Sequence, residues 1–303
     1  MATQRIGVRF NRSRREALEG YLYISPWIVG FLAFALGPMI ASLYFSFTQY
    51  NVLSTPKFAG LYNYVYMFTR DRLFIVALER TAYYAVVSVV LGVGGSLLLA
   101  VLLDQRLFGV SVFRTLYFLP SLTPIVASAL LWGWIFQPQF GMLNYLLSFV
   151  GLKGPAWLQS TEWAMPALII MALWGGLGGG RMIIFIAGLQ GIPQELYEAA
   201  SMDGAGTLSR FLNVTLPLLT PTIFFNLVLG IIGSFSVFSV AYVATGGGPA
   251  DATYFYVFHI FNRAFKDLDM GYAAALAWIF FLVLLVFTLI QFAMQKYWVY
   301  YEE

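Results

Sequence analysis

The sequence predicts an all-α protein that crosses a membrane six times. Three observations carry that prediction. Hydrophobic residues fill 60% of the 303 positions and charged residues only 10%, against about 45–50% and about 25% in an average soluble domain. The charges are spaced so that six long uncharged runs lie between them, at 20–56, 81–103, 115–152, 163–180, 211–250 and 270–295. Those runs are continuous rather than alternating, which favours helices over the strands of a barrel. So few charges cannot cover that much apolar surface in water, and lipid is the solvent for most of the chain.

A hydrocarbon core about 30 Å thick takes about 20 residues of helix, and each run supplies one span. The first is expected near 22–47. It is too long for the apolar core of a signal peptide, and no small-residue cleavage site follows it. The second is expected near 82–103 and the third near 115–136, where Gln137-Pro138-Gln139 ends it. The stretch from Gly141 to Leu152 is too short to cross. Its Leu143, Leu146, Leu147 and Val150 recur at helical spacing, which predicts a short interfacial helix. The fourth span runs over 163–188, past Arg181. The fifth runs over 220–244, preceded by Pro217 and stopped by Gly246-Gly247-Gly248-Pro249. The sixth is expected at 271–294.

The six-helix domain thus occupies 21–295, between a basic arm at 1–20 and a tail at 296–303. The arm carries Arg5, Arg9, Arg12, Arg14 and Arg15. The positive-inside rule places it in the cytoplasm, against anionic lipid head groups. An even number of spans returns the C-terminus to that side. The loops at 104–114, 189–215 and 295–303 are then cytoplasmic, and those at 48–81, 137–162 and 245–270 external. Lys57, Arg70, Arg72 and Arg80 weaken the loop bias, so the arm decides the orientation.

Several chemistries are excluded. There is no cysteine and one histidine, so no disulfide, iron–sulfur cluster or Cys/His zinc site forms. No phosphate-binding G-x-x-x-x-G-K-[ST] run occurs, so ATP is not hydrolysed by this chain and no cofactor is expected. A net charge of +3 does not point to nucleic acid. His259, between Phe258 and Ile260, is expected on the external surface as a partner contact.

Inside the spans, polar residues are few. Arg181 is the only charge in a proposed span, and faces either a cavity or the inner interface. Gly175, Gly176, Gly178, Gly179 and Gly180 follow Trp174. They serve close helix packing, through the pairs Gly175/Gly179 and Gly176/Gly180, or a loosened helix at a binding site. In the fifth span Asn226, Ser234, Ser236 and Ser239 interrupt the apolar run, and such residues bond to neighbouring helices or to a solute.

The most polar long stretch between spans four and five is GIPQELYEAASMDGAGTLSRFLNVTLP, Gly191 to Pro217. Pro193 and Glu195 suit a helix start, and Gly204 suits the left-handed position after its end. A second short helix is expected from about Thr207 to Leu216. Physically this is a compact knob with small alanines for close approach and a carboxylate for a basic partner.

Its residues resemble the EAA signature of binding-protein-dependent ABC importer permeases: E-A-A, three residues, G, nine residues, I-x-L-P. Here Glu198-Ala199-Ala200 precedes Gly204, and Val214-x-Leu216-Pro217 closes the pattern with valine for isoleucine. Phe58-Ala59-Gly60-Leu61-Tyr62-Asn63-Tyr64 resembles the F-x-G-L-x-N-Y run of carbohydrate-importer permeases. Leu119-Pro120, Trp132, Phe136, Gly141 and Asn144 resemble their third-span region, and Thr245-Gly246-Gly247-Gly248-Pro249 their external turn. Together they point to the maltose-type and glycerol-phosphate-type permeases.

The resemblance implies a type I ABC importer permease in a prokaryotic inner membrane, moving a sugar, oligosaccharide or polyol. It implies a second, related permease, two ATPase subunits and an external solute-binding protein. Glu198, Ala199, Ala200, Asp203 and Gly204 would couple to the ATPase. Trp174, Arg181, Ser234, Phe235 and Ser236 are the candidates for the solute path. The rival class is an ion-gradient transporter. Those commonly carry intramembrane carboxylates, and none of the six runs contains Asp or Glu.

Overall fold

The computed structural model describes residues 12–105 and 108–300. The expectations placed on Arg5, on Arg9 and on the end of the C-terminal tail lie outside them. Helix α1 (Arg12–Phe31) runs through a π turn (Leu32–Leu36) into α2 (Gly37–Ser46). Pro38 lacks an amide donor and its ring would crowd the preceding turn. The π turn, closed by the Gly37 amide on the Leu32 carbonyl, accommodates it. Among the described residues, none in the most apolar window of this long helix is fully buried.

A two-stranded hairpin not foreseen from the sequence follows. Strands β1 (Thr48–Gln49) and β2 (Lys57–Phe58) pair antiparallel, Thr48 opposite Phe58. Asn63 of α3 (Tyr62–Thr69) ties the hairpin to α2 by donating to the carbonyls of Ser46 and Thr48, both at 2.9 Å.

Helix α4 (Arg72–Leu103) starts ten residues before the expected 82. Asp71 caps it: one carboxylate oxygen accepts from the amides of Leu73 (3.0 Å) and Phe74 (3.2 Å). The cap secures the extra turns that carry Glu79 and Arg80, whose charges lie outside the uncharged run 81–103. Its buried face reads Ala77, Thr81, Ala85, Ser88, Gly92, Ser96 and Ala100. Small residues at three- and four-residue spacing let other helices approach closely, and α4 becomes the central helix.

The third span is broken. Helix α5 (Val110–Phe118) passes through a 3₁₀ turn (Leu119–Leu122) and resumes as α6 (Ile125–Ile135) at an angle of 98°. Proline disfavours helix in the residue before it, and Thr123, before Pro124, is extended. The single helix expected at 115–136 is therefore corrected to two. The interfacial helix is present as α7 (Met142–Phe149). Asn144 pins it, donating to the carbonyls of Pro138 and Pro155 and accepting from the Trp157 indole.

The fourth span is α8 (Ala164–Gly176) and α9 (Gly180–Gln190), bent by 50°. Next come α10 (Gln194–Met202), α11 (Thr207–Arg210), a π turn (Phe211–Thr215) and α12 (Leu216–Leu218). A bend of 63° between Pro217 and Pro221 leads into α13 (Thr220–Phe235). The fifth span expected as continuous to 244 breaks at Ser236–Phe238, and α14 (Ser239–Ala244) follows. Helix α15 (Tyr256–Phe261) and a π turn (Asn262–Lys266) lead to α16 (Met270–Gln295). Among the described residues three helices are long and apolar enough to cross a membrane, or up to six if each of the three bent pairs counts as one span.

One end of the bundle holds a buried polar network around Asp71. Its second carboxylate oxygen accepts from Tyr272 (2.6 Å), His259 Nε2 (3.0 Å) and Arg263 (3.1 Å). His259 Nδ1 lies 3.1 Å from the Tyr254 hydroxyl, which also accepts from Asn262. This corrects the expectation for His259: it is 0% exposed and joins α15 to the start of α4. Burial alone would push the Asp71 carboxyl up. The hydrogen bonds from His259 and Tyr272 and the nearby Arg263 charge outweigh burial and hold it well below the usual carboxylate range.

Candidate functional site

Two features stand out, a protruding loop at one end and a cavity inside the bundle. The loop is built from α10 and α11. Pro193 sits at the N-cap of α10, one position before the first helical turn, and Glu195 lies in that turn, where the helix dipole favours it. The helix ends at Met202 with Asp203 as its C-cap, and the next residue, Gly204, has a φ of +78°, the left-handed conformation that glycine takes without strain. The Ala205 amide reaches back to the Ala200 carbonyl (2.9 Å) and the Gly204 amide to Ser201 (3.1 Å), which completes a Schellman turn.

A small set of side chains fixes the knob. Tyr197 hydroxyl meets Thr215 Oγ1 at 3.0 Å, and Arg210 donates to Ser201 Oγ at 3.0 Å. Glu198 accepts from Gln194 at 2.9 Å and is exposed, as are Ala199, Asp203 and Gly204, while Ala200 is partly covered. Met202 at 89% and Leu208 at 70% exposure stand out beside them. A carboxylate, small residues and two bare apolar side chains share one projecting surface. Behind it lies a polar cleft of about 820 Å³, between the knob and the 104–114 segment, lined by Asp104, Arg114, Gln190 and Tyr197.

The cavity, about 470 Å³, lies where the broken third, fourth and fifth spans face α4. The structure brings Arg181, Ser234 and Ser236 together in its wall. Trp174 and Phe235 do not line it. Trp174 stands edge-on to Trp132 at 5.8 Å, and Phe235 packs on Phe287 at 5.4 Å between α13 and α16. Tyr84, Ser121, Ser128 and Ser239 also line the cavity. Of these, the sequence reading singled out only Ser239, as a polar residue of span five. Tyr84 and Ser128 sit in spans whose polar residues carry no motif, and only the folded arrangement gathers them.

Arg181 stands in the first turn of α9, just past the break. A Cβ on Gly92 would come within 2.5 Å of Nη1, and one on Gly230 within 3.4 Å of Nη2. Glycines on α4 and α13 thus make room for the guanidinium. The glycine run has a specific use. Cβ atoms at Gly175, Gly176 and Gly180 would meet nothing, whereas one at Gly178 would strike the backbone carbonyl of Tyr117 and one at Gly179 would press on Ser121. Close approach therefore occurs at the break itself, between α8 and the end of α5, rather than through the two expected pairs. Gly178→Val is expected to prevent that approach, abolishing expression of folded chain, measured as monodisperse protein after detergent extraction.

Comparison with known proteins agrees with this architecture. Residues 92–298 match the family model described as "Binding-protein-dependent transport system inner membrane component". The chain is 43% identical over 294 residues to the probable ABC transporter permease protein YesP of Bacillus subtilis, covering 96% of this chain and 94% of that one. It is 34% identical to the trehalose/maltose transport system permease protein MalF of Thermococcus litoralis, over 93% of this chain and 95% of that one. A crystal structure of a bacterial ABC transporter that imports the acidic polysaccharide alginate superposes with a TM-score of 0.84 at 25% identity, covering 95% of this chain and 98% of the other. The chain belongs to the binding-protein-dependent inner membrane components: it is a multi-pass permease of an ABC importer, and not the ATPase.

Proposed function

We propose that this chain forms part of the translocation path for a sugar, oligosaccharide or related polyol. It does so with a second, related permease above two ATPase subunits, and an external binding protein delivers the solute. The observation that carries this reading is the Glu198–Gly204 knob: an exposed carboxylate and small residues held by a Schellman turn, with bare Met202 and Leu208 beside them. Such a surface suits a cleft in a soluble partner. Relatives named for trehalose and maltose, for arabinooligosaccharides and for sn-glycerol-3-phosphate support the solute class. ATP-driven closure of the ATPases would move two such knobs as rigid bodies and switch access to the cavity. Co-purification with the ATPase, followed by a solute-stimulated ATP hydrolysis assay, tests the assignment. Absence of an ATPase from the purified assembly would refute it.

The knob, the 104–114 segment and the C-terminal end lie together. The cleft behind the knob is shared with Asp104 and Arg114, and the Tyr300 amide donates to Thr220 at 2.8 Å. We place this end in the cytoplasm and the Asp71 end outside, as the basic arm requires. The chain has no cysteine of its own, so single cysteines report cleanly. Ala250→Cys, exposed at the other end, is expected to react with an impermeant maleimide in intact cells. Met202→Cys is expected to react only after permeabilisation. The reverse pattern would overturn the orientation.

A further inference from the structure

We propose that the cavity recognises an anionic group on the transported sugar, a carboxylate or a phosphate, through Arg181. This inference rests on the import reading and narrows its solute class. Arg181 lies within a span, where charge is rare and normally paired. Yet no Asp or Glu lines the cavity, and among the described residues no acceptor takes a hydrogen bond or an ion pair from the guanidinium. An arginine kept at such depth without a carboxylate leaves its fork of donors available.

The surroundings are shaped for that fork. Gly92 and Gly230 leave the space in which Nη1 and Nη2 sit, so the group is held at the wall between α4 and α13. It also stands in the first turn of α9, where the helix dipole adds positive potential. Around it the lining supplies hydroxyls, from Tyr84, Ser121, Ser128, Ser234 and Ser236. A guanidinium binds carboxylate or phosphate through two parallel hydrogen bonds, while hydroxyls pair with sugar hydroxyls. A volume of about 470 Å³ lies within the range of small-molecule sites. A neutral sugar would leave the guanidinium without a counter-charge.

The test uses cells carrying the intact importer and three labelled probes: a uronate trisaccharide, a hexose phosphate and a neutral trisaccharide. Wild-type cells are expected to accumulate an anionic probe in preference to the neutral one, and which anion accumulates separates carboxylate from phosphate. Arg181→Gln is expected to lower that uptake about 100-fold, and Arg181→Lys to retain part of it because the charge is kept. The wild-type preference decides the matter even if a variant fails to fold. Uptake of the neutral trisaccharide alone would overturn the anionic site and leave sugar import standing. Anionic uptake that survives Arg181→Gln would also overturn it. Uptake of none of the three would remove both readings.

Discussion

Glu198→Ala is expected to uncouple the importer. In the proposed assembly Glu198 pairs with a basic group of the ATPase in a partly buried contact. Truncating one member of such a pair costs about 2–5 kcal/mol, much of it from the charge left alone. That corresponds to a drop in docking affinity of at least about tenfold. Gly204→Val acts on the same surface through the backbone. At φ +78° a β-branched residue is strained, at roughly 1–3 kcal/mol, and relief of that strain would open the Schellman turn and tilt α10. Both variants should lose solute-stimulated ATP hydrolysis, while solute binding to the external protein is unchanged. A charge-reversed ATPase partner that restores activity to Glu198→Lys would establish the pairing directly. Wild-type stimulation in either alanine or valine variant would remove the loop from the coupling step.

Asp71→Ala is expected to produce a large loss of stability. The substitution leaves His259, Tyr272 and Arg263 without their shared acceptor and strips α4 of its cap. Removing one member of a buried charged cluster costs about 3–5 kcal/mol, and it should appear as a large fall in the melting temperature of the purified chain. Asp71→Asn keeps a capping side chain and should fall between. The pH dependence has a fixed sign. The folded carboxyl titrates below its unfolded value near 4. Its contribution is therefore full above that pH and is lost as pH falls through the lower folded value. The stability gap between wild type and Asp71→Asn should shrink on acidification below about pH 4. A gap independent of pH would mean that the Asp71 charge is not what holds the network.

Much of this was legible in the sequence because its determinants are local. The Glu198–Gly204 turn needs only a helix end and a glycine, and both are written in consecutive residues. The uncharged runs located the spans for the same reason. The breaks were harder to see. Pro120 and Pro124 were visible, but a bend of 98° depends on what packs into it, and here Gly178 admits the Tyr117 carbonyl. Charge counting delayed the start of α4, because Arg72, Glu79 and Arg80 lie on outer turns that the Asp71 cap secures. His259 shows the widest gap between sequence and fold. Its partner Asp71 is 188 residues away in sequence, and no local pattern announces such a pair. The cavity shares that property, since Tyr84, Ser128 and Arg181 come to line one space only when three broken spans fold around α4.

In the proposed reading this chain moves solute in an ATP-driven assembly rather than on an ion gradient. Proteoliposomes holding the purified complex, with binding protein and solute supplied on the Ala250 side, test it most directly. Accumulation is predicted only when magnesium and ATP are present on the Glu198 side, with no proton or sodium gradient imposed. Accumulation driven by an imposed ion gradient in the absence of ATP would contradict it.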